Sequence, residues 1–229
     1  MSFYEVARVI LRGVMPLFFR LNVTGLEGVP NRGLIVCPNH VSYLDPVLVA
    51  MYLPQQLTFM GKDELFHIPL LSRLFRALGG FPIKRGKADT AAIQTAVDYL
   101  EAGRALMIFP EGTRSFSGKL LKFHSGAALI AAKTDADLLP VAIETAGRTR
   151  LFKRITIHFG TVIENPFRGL SKDQVSSLIL RDLTRALRAG VLEMLPTQAA
   201  REAAEKEAKR LGASEEATAG AGGLPPHTS

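Results

Sequence analysis

A single cysteine, Cys37, leaves this chain unable to form an internal disulfide, and a reducing compartment suits it. No uncharged run is long enough to span a bilayer: the longest, residues 46–61, is interrupted by Pro54 and by Gln55 and Gln56. No cleavable signal peptide is evident either, so a soluble or surface-bound cytoplasmic protein is expected. The five histidines, His40, His67, His124, His158 and His227, are scattered without ligand spacing, and no metal site is expected. A serine nucleophile on a Gly-x-Ser-x-Gly elbow is also missing. Cys37 sits in the apolar run 34–37, where an inert buried thiol is the better reading. Gly112 to Lys119 approximates a P-loop, but five residues rather than four separate its glycines, and Leu120 stands where Ser or Thr is needed. Covalent, metal-dependent and nucleotide-binding chemistry are therefore disfavoured.

Basic charge, by contrast, is plentiful. The 229 residues carry 28 Lys and Arg against 21 Asp and Glu, a formal charge of +7. Residues 1–196 hold +8 and residues 197–229 hold −1. Such an excess favours an anionic membrane surface or a phosphorylated or acidic partner. Nucleic acid is not expected, because zinc spacing, aromatic RNA-binding signatures and a long basic run are all absent.

Residues 3–21 place Phe3, Val6, Ala7, Ile10, Val14, Leu17, Phe18 and Leu21 at helical spacing, with Arg8 and Arg12 between them. An apolar stripe flanked by arginines suits a helix lying on anionic lipid, and equally a helix packed on the core. Strand-like runs follow at 34–37, 57–60, 80–84, 106–109, 138–143 and 155–163, with helical patterns at 88–102 and 125–134. This alternation predicts an α/β domain with a mostly parallel central sheet flanked by helices, preceded by the N-terminal amphipathic membrane-surface helix. A second apolar stripe at 65–78 can pack on the core, dock on lipid or line an acyl pocket. The expected division is a membrane-associating helix at 1–21, a catalytic domain at 22–196 and an Ala/Glu/Lys-rich tail at 197–229, disordered at its end.

In such sheets ligands sit beyond the carboxyl ends of the strands, and two polar segments fall there. His40 and Asp45 follow the 34–37 run; a histidine whose basicity is tuned by a carboxylate can take a proton from a hydroxyl near neutral pH. Pro46 fits the first turn of a helix, which makes Asp45 its expected N-cap, and His40 can equally serve only loop hydrogen bonds. Glu111, Gly112, Thr113 and Arg114 follow the 106–109 run. There Arg114 is suited to gripping a phosphate, Gly112 exposes amides, and Glu111 suits a substrate hydroxyl or an anchor for Arg114. Lys84 and Arg85 leave the 80–84 run as a further pair of cations.

As a set these segments resemble the 1-acylglycerol-3-phosphate acyltransferase family of glycerolipid acyltransferases. Asn39 to Asp45 is similar to its first motif, Gly80 to Arg85 to its second, Phe109 to Ser115 to its third, and Leu139 to Ile143 to its fourth, in family order. His124, where the family often has lysine, and Ile83 and Lys84 before Arg85 depart from the pattern and bear on acceptor preference.

The resemblance implies transfer of a fatty acyl group from an acyl thioester to the sn-2 hydroxyl of lysophosphatidic acid, giving phosphatidic acid. It assigns His40 as general base and Asp45 as its partner. Arg85 and Arg114 would hold the phosphate, Glu111 and Gly112 would shape the acceptor site, and Pro140 would help form the pocket behind it; Lys84 and Thr113, beside them in the sequence, are further candidate substrate-binding residues. No cofactor is implied beyond acyl-CoA or acyl carrier protein as co-substrate. The implied location is the cytoplasmic face of a membrane, peripherally bound. Alternatives are a related acyltransferase with another acceptor (glycerol 3-phosphate, another lysolipid or an amino-acid lipid) and a non-catalytic module that binds anionic membranes.

Overall fold

Runs of apolar β-formers, too short for helices, assemble here into one seven-stranded sheet. The computed structural model describes residues 3–83, 90–145, 151–170, 172–195 and 197. In chain order the elements are α1 (Phe3–Phe18), β1 (Arg20–Thr24), β2 (Leu34–Pro38), α2 (Asp45–Tyr52), β3 (Leu57–Lys62), α3 (Pro69–Ala77), β4 (Gly80–Ile83) and α4 (Thr90–Glu101). Then come β5 (Ala105–Met107), α5 (Gly126–Ala131), β6 (Asp137–Thr145), β7 (Arg154–Phe159) and α6 (Ser177–Glu193). The strand order is β1-β7-β6-β2-β5-β3-β4. Every neighbouring pair is parallel except β6 with β7. The expected mostly parallel α/β sheet is what forms.

The three central strands are apolar because both of their faces are covered. All of β2 and β5 is buried, as is β6 as far as Ile143. Alternation then sorts the side chains. Leu34, Val36, Leu139, Val141 and Ile143 share one core with Leu48 and Met51 of α2 and Tyr4 and Met15 of α1. Ile35, Cys37, Leu138 and Pro140 are buried on the opposite face, where α5 packs on β2 and α6 on β6. There the Pro140 ring is seated on Gly190 of α6, where a Cβ would come within 3.2 Å of it.

Several boundaries differ from expectation. The N-terminal helix ends at Phe18 rather than 21, because Arg20–Thr24 pairs alongside β7 as an edge strand. The strand expected to reach residue 163 stops at Phe159, and Ile163 makes only an isolated bridge to Leu138. The sequence pattern predicts neither β1 nor α6.

α1 uses its faces unevenly. Tyr4 and Met15 are buried, while Phe3, Val6, Val9, Ile10, Val14, Leu17 and Phe18 are exposed. Its arginines point the other way: Arg8 donates to the Leu53 carbonyl at 2.7 Å, and Arg12 donates to the Met51 carbonyl. Those carbonyls close the C-terminus of α2, where the helix leaves acceptors without internal donors. The arginines expected to flank a lipid-facing stripe are thus engaged with backbone carbonyls of the protein.

Contacts divide the chain after Met194; of the second unit, from Leu195 onward, only Leu195 and Thr197 are described.

Candidate active site

Both polar segments leave the sheet at the carboxyl ends of adjacent parallel strands, β2 and β5. Asn39, directly after β2, is 1% exposed; its amide donates to the Ile143 carbonyl at 3.0 Å and accepts from the Ile143 N–H at 2.7 Å. The chain therefore leaves β2 along a fixed path, clamped to β6.

His40 is gripped through its backbone by the loop after β5. Its N–H donates to Glu111 Oε1 at 2.8 Å, and its carbonyl accepts from the Ser115 N–H at 2.7 Å. The ring stacks on Phe109 with centroids 3.8 Å apart and 20° between planes. His40 Nδ1 lies 2.8 Å from Asp45 Oδ2, which also accepts from the N–H groups of Val41 and Ser42 at 2.7 Å each. Asp45 is fully buried, and three donors on one oxygen hold it in one orientation. With Nδ1–H donated to the carboxylate, Nε2 is the nitrogen left with the lone pair. The His40 side chain is 15% exposed, so the ring is shielded but reachable.

The expected capping role of Asp45 is not what forms. Leu44, in a helical conformation, occupies the cap position, and Asp45 is the first helical residue. Its carboxylate turns back toward the preceding loop instead of forward onto helix amides, which is what frees it to meet His40.

Glu111 is 3% exposed, and both of its oxygens accept from backbone: Oε1 from His40 and Oε2 from Leu121 at 3.1 Å. Burial is the first cause of a pKa raised above the ordinary glutamate value; the nearby Asp45 charge adds to it, while the two backbone bonds and Arg188 oppose it. This geometry makes Glu111 a brace between two loops, and among the described residues it forms no ion pair with Arg114. Gly112 turns the chain with φ +67°, and a Cβ there would meet the His124 ring at 3.5 Å. Gly112 and Thr113 are exposed beside it.

The Arg114 guanidinium carbon sits 3.4 Å from the Tyr43 ring centroid and 5.1 Å from that of Phe116. Both rings are largely exposed. Stacking holds the planar cation by its faces and leaves its N–H edges available. Among the described residues it has no ion pair or hydrogen bond. A cation so placed can receive an anion on the ligand side of the loop that carries His40.

Lys84 and Arg85 lie outside the described residues; β4 brings the chain as far as Ile83 at the same end of the sheet. Pro140 is placed apart from the other site residues. It faces α6 and lines a groove with His158, Gly160 and Gly190, on the face opposite the core shared by α1 and α2. Sequence reasoning did not single out Asn39, Phe109 or Tyr43. Their only signal was membership of the motifs, because the contacts that give them roles join loops from different strands. No cluster of metal-ligating side chains occurs among the described residues.

The chain is 30% identical over 135 residues to 1-acyl-sn-glycerol-3-phosphate acyltransferase LPAT1, chloroplastic, of Arabidopsis thaliana, covering 57% of this chain and 38% of that protein. It is 35% identical over 126 residues to the lyso-ornithine lipid O-acyltransferase of Pseudomonas aeruginosa, covering 55% of this chain and 47% of that one. The chain thus spans less than half the length of these two relatives. Among solved structures it resembles the 1-acyl-sn-glycerophosphate (LPA) acyltransferase PlsC of Thermotoga maritima, with a TM-score of 0.65 and 29% identity over 83% of this chain and 79% of that one. The acyltransferase family model matches residues 20–144, more than half of the sequence and inclusive of every motif described above, and the chain belongs to the acyltransferase family.

Proposed function

We propose that the protein transfers a fatty acyl group from an acyl thioester to the sn-2 hydroxyl of lysophosphatidic acid, giving phosphatidic acid. The observation that carries this reading is the His40–Asp45 pair beside an arginine that has no anionic partner among the described residues. His40 Nε2 takes the hydroxyl proton as the acceptor oxygen attacks the thioester carbonyl. The tetrahedral intermediate then collapses, the carbon–sulfur bond breaks, and the departing thiolate takes the proton back from the imidazolium. Asp45 holds the tautomer and stabilises the imidazolium between these steps. No acyl-enzyme is formed.

Arg114 meets the acceptor phosphate, with Lys84 and Arg85 as its partners in that task; Glu111 positions the His40 backbone. An apolar cavity lined by Tyr4, Leu11, Tyr43, Val47, Phe59 and Phe75 opens next to Tyr43 and suits part of an acyl chain. The donor is acyl-CoA or acyl carrier protein. No helix among the described residues is long and apolar enough to cross a membrane. The exposed apolar face of α1 suits peripheral attachment to the cytoplasmic face of a membrane.

A second reading, acylation of an amino-acid lysolipid, is favoured by the 35% identity to the lyso-ornithine lipid enzyme. Purified enzyme assayed with both donors against lysophosphatidic acid and a lyso-amino-acid lipid separates the two acceptors. In the same assay His40→Ala lowers turnover about 10²–10⁴-fold, the usual contribution of a general base, while the variant keeps a cooperative melting transition, lowered by the loss of the Asp45 and Phe109 contacts. Near-normal turnover by that variant overturns the mechanism.

A further inference from the structure

We propose that the turn at Leu151 and Phe152, together with Arg20, Lys153 and Arg154, is a second lipid-docking element that seats on an anionic phospholipid surface. Leu151 is 60% and Phe152 67% exposed. Phe152 is held in that position with φ +62°, the only non-glycine residue with positive φ among those described. A bulky side chain rarely adopts this conformation, and here it carries an aromatic ring out into solvent. The turn is tied to the N-terminal helix: the Phe152 N–H donates to the Phe18 carbonyl at 2.6 Å, beside the exposed Leu17 and Phe18.

Cations surround these apolar groups. Arg20 and Arg154 are register partners on β1 and β7, and the Arg20 N–H donates to the Lys153 carbonyl at 3.1 Å. All three basic side chains are exposed, and none has a hydrogen-bond or ion-pair partner among the described residues. Exposed apolar rings and aliphatics flanked by unpaired cations match a surface with anionic headgroups above hydrocarbon.

Topology adds a reason. β7 runs antiparallel to β6 and β1 runs parallel to β7, so both strands start at the end of the sheet where β2, β5 and β6 finish. β7 is two strands from β2, roughly 10 Å sideways, so the turn sits at the same end as His40. A surface touching it lies where an amphiphilic acceptor would enter.

This inference rests on the membrane reading of α1, and the test keeps the two apart. Full-length protein is sedimented with phosphatidylcholine vesicles, with and without phosphatidylglycerol. The variants are Leu151→Ser with Phe152→Gly, the triple change Arg20→Gln, Lys153→Gln and Arg154→Gln, and, for α1, Ile10→Ser with Leu17→Ser. Glycine relieves the positive φ, so the first variant keeps or raises the melting temperature while losing the ring; Phe152→Asn is the alternative that also tolerates φ > 0. The apolar variant is expected to bind mixed vesicles about tenfold more weakly. The cation variant is expected to lose most of the preference for phosphatidylglycerol, about fivefold per cation. Binding that falls only in the α1 variant overturns the inference and leaves the membrane reading standing. Binding unchanged in all three overturns both. Loss of affinity for acyl carrier protein with vesicle binding intact also overturns it, and reassigns the turn to a protein partner.

Discussion

Arg114 and Glu111 stand three residues apart in one loop, yet their side chains face opposite worlds. Arg114 is held between Tyr43 and Phe116 with its N–H edges unspent. Replacing it with alanine is expected to raise KM for phosphate-bearing acceptors by one to two orders of magnitude, about the 1.5–3 kcal/mol of a charge-assisted bond. Turnover on a phosphate-free acceptor should barely change, and steady-state kinetics on both acceptors checks this. Glu111 faces inward, and burial raises its pKa. A raised value means the folded state holds the proton more tightly than the unfolded chain does. Its contribution to stability is therefore full below the ordinary glutamate range and is lost as pH rises through the folded value. Urea midpoints of wild type and Glu111→Gln, compared across that window, should show the wild type losing ground to the variant as pH rises. The pairing of His40 with Asp45 was legible in the sequence because it is local to one loop. The bracing role of Glu111 was not, since its partners, His40 and Leu121, are fixed only when β2 and β5 lie side by side.

Among the elements, α1 shows where periodicity stops being informative. Its apolar and arginine positions were readable, and so was their helical phase. Which side faced the protein was not, because a helical pattern carries no sign for inward and outward. The structure buries Tyr4 and Met15 and turns Arg8 and Arg12 onto the carbonyls that end α2. Replacing both arginines with alanine should cost about 2 kcal/mol, kept modest because Arg12 is largely exposed. Chemical denaturation measures that loss, and limited proteolysis between α1 and β1 should quicken with it. The central strands were legible for the opposite reason: both faces of β2 and β6 are covered, so their apolar runs are continuous. β1 escaped notice because an edge strand of alternating exposure, Arg20–Thr24, reads as the tail of the preceding helix.

At the scale of the whole molecule, one end of the sheet gathers the dyad, the loop of Arg114, the end of α1 and the start of β7. The exposed apolar residues of α1 lead up to that end. Substituting Ile10 and Leu17 with serine should lower turnover on lysolipid embedded in vesicles severalfold, by weakening attachment. The same variant should process a short-chain acceptor, dispersed as monomers, at the wild-type rate. Paired assays on the two substrate forms check this, and an equal loss on both would point to damage within the site. Deleting α1 is the poorer experiment, because Tyr4 and Met15 belong to the core.

α2 has only eight residues, roughly 12 Å of helix. Asp45 begins it, and the arginines of α1 grip the carbonyls at its far end. It is a tie rod with Asp45, the partner of His40, at one end and α1 at the other. Two turns of backbone therefore join the arginine contacts of α1 to the His40–Asp45 pair.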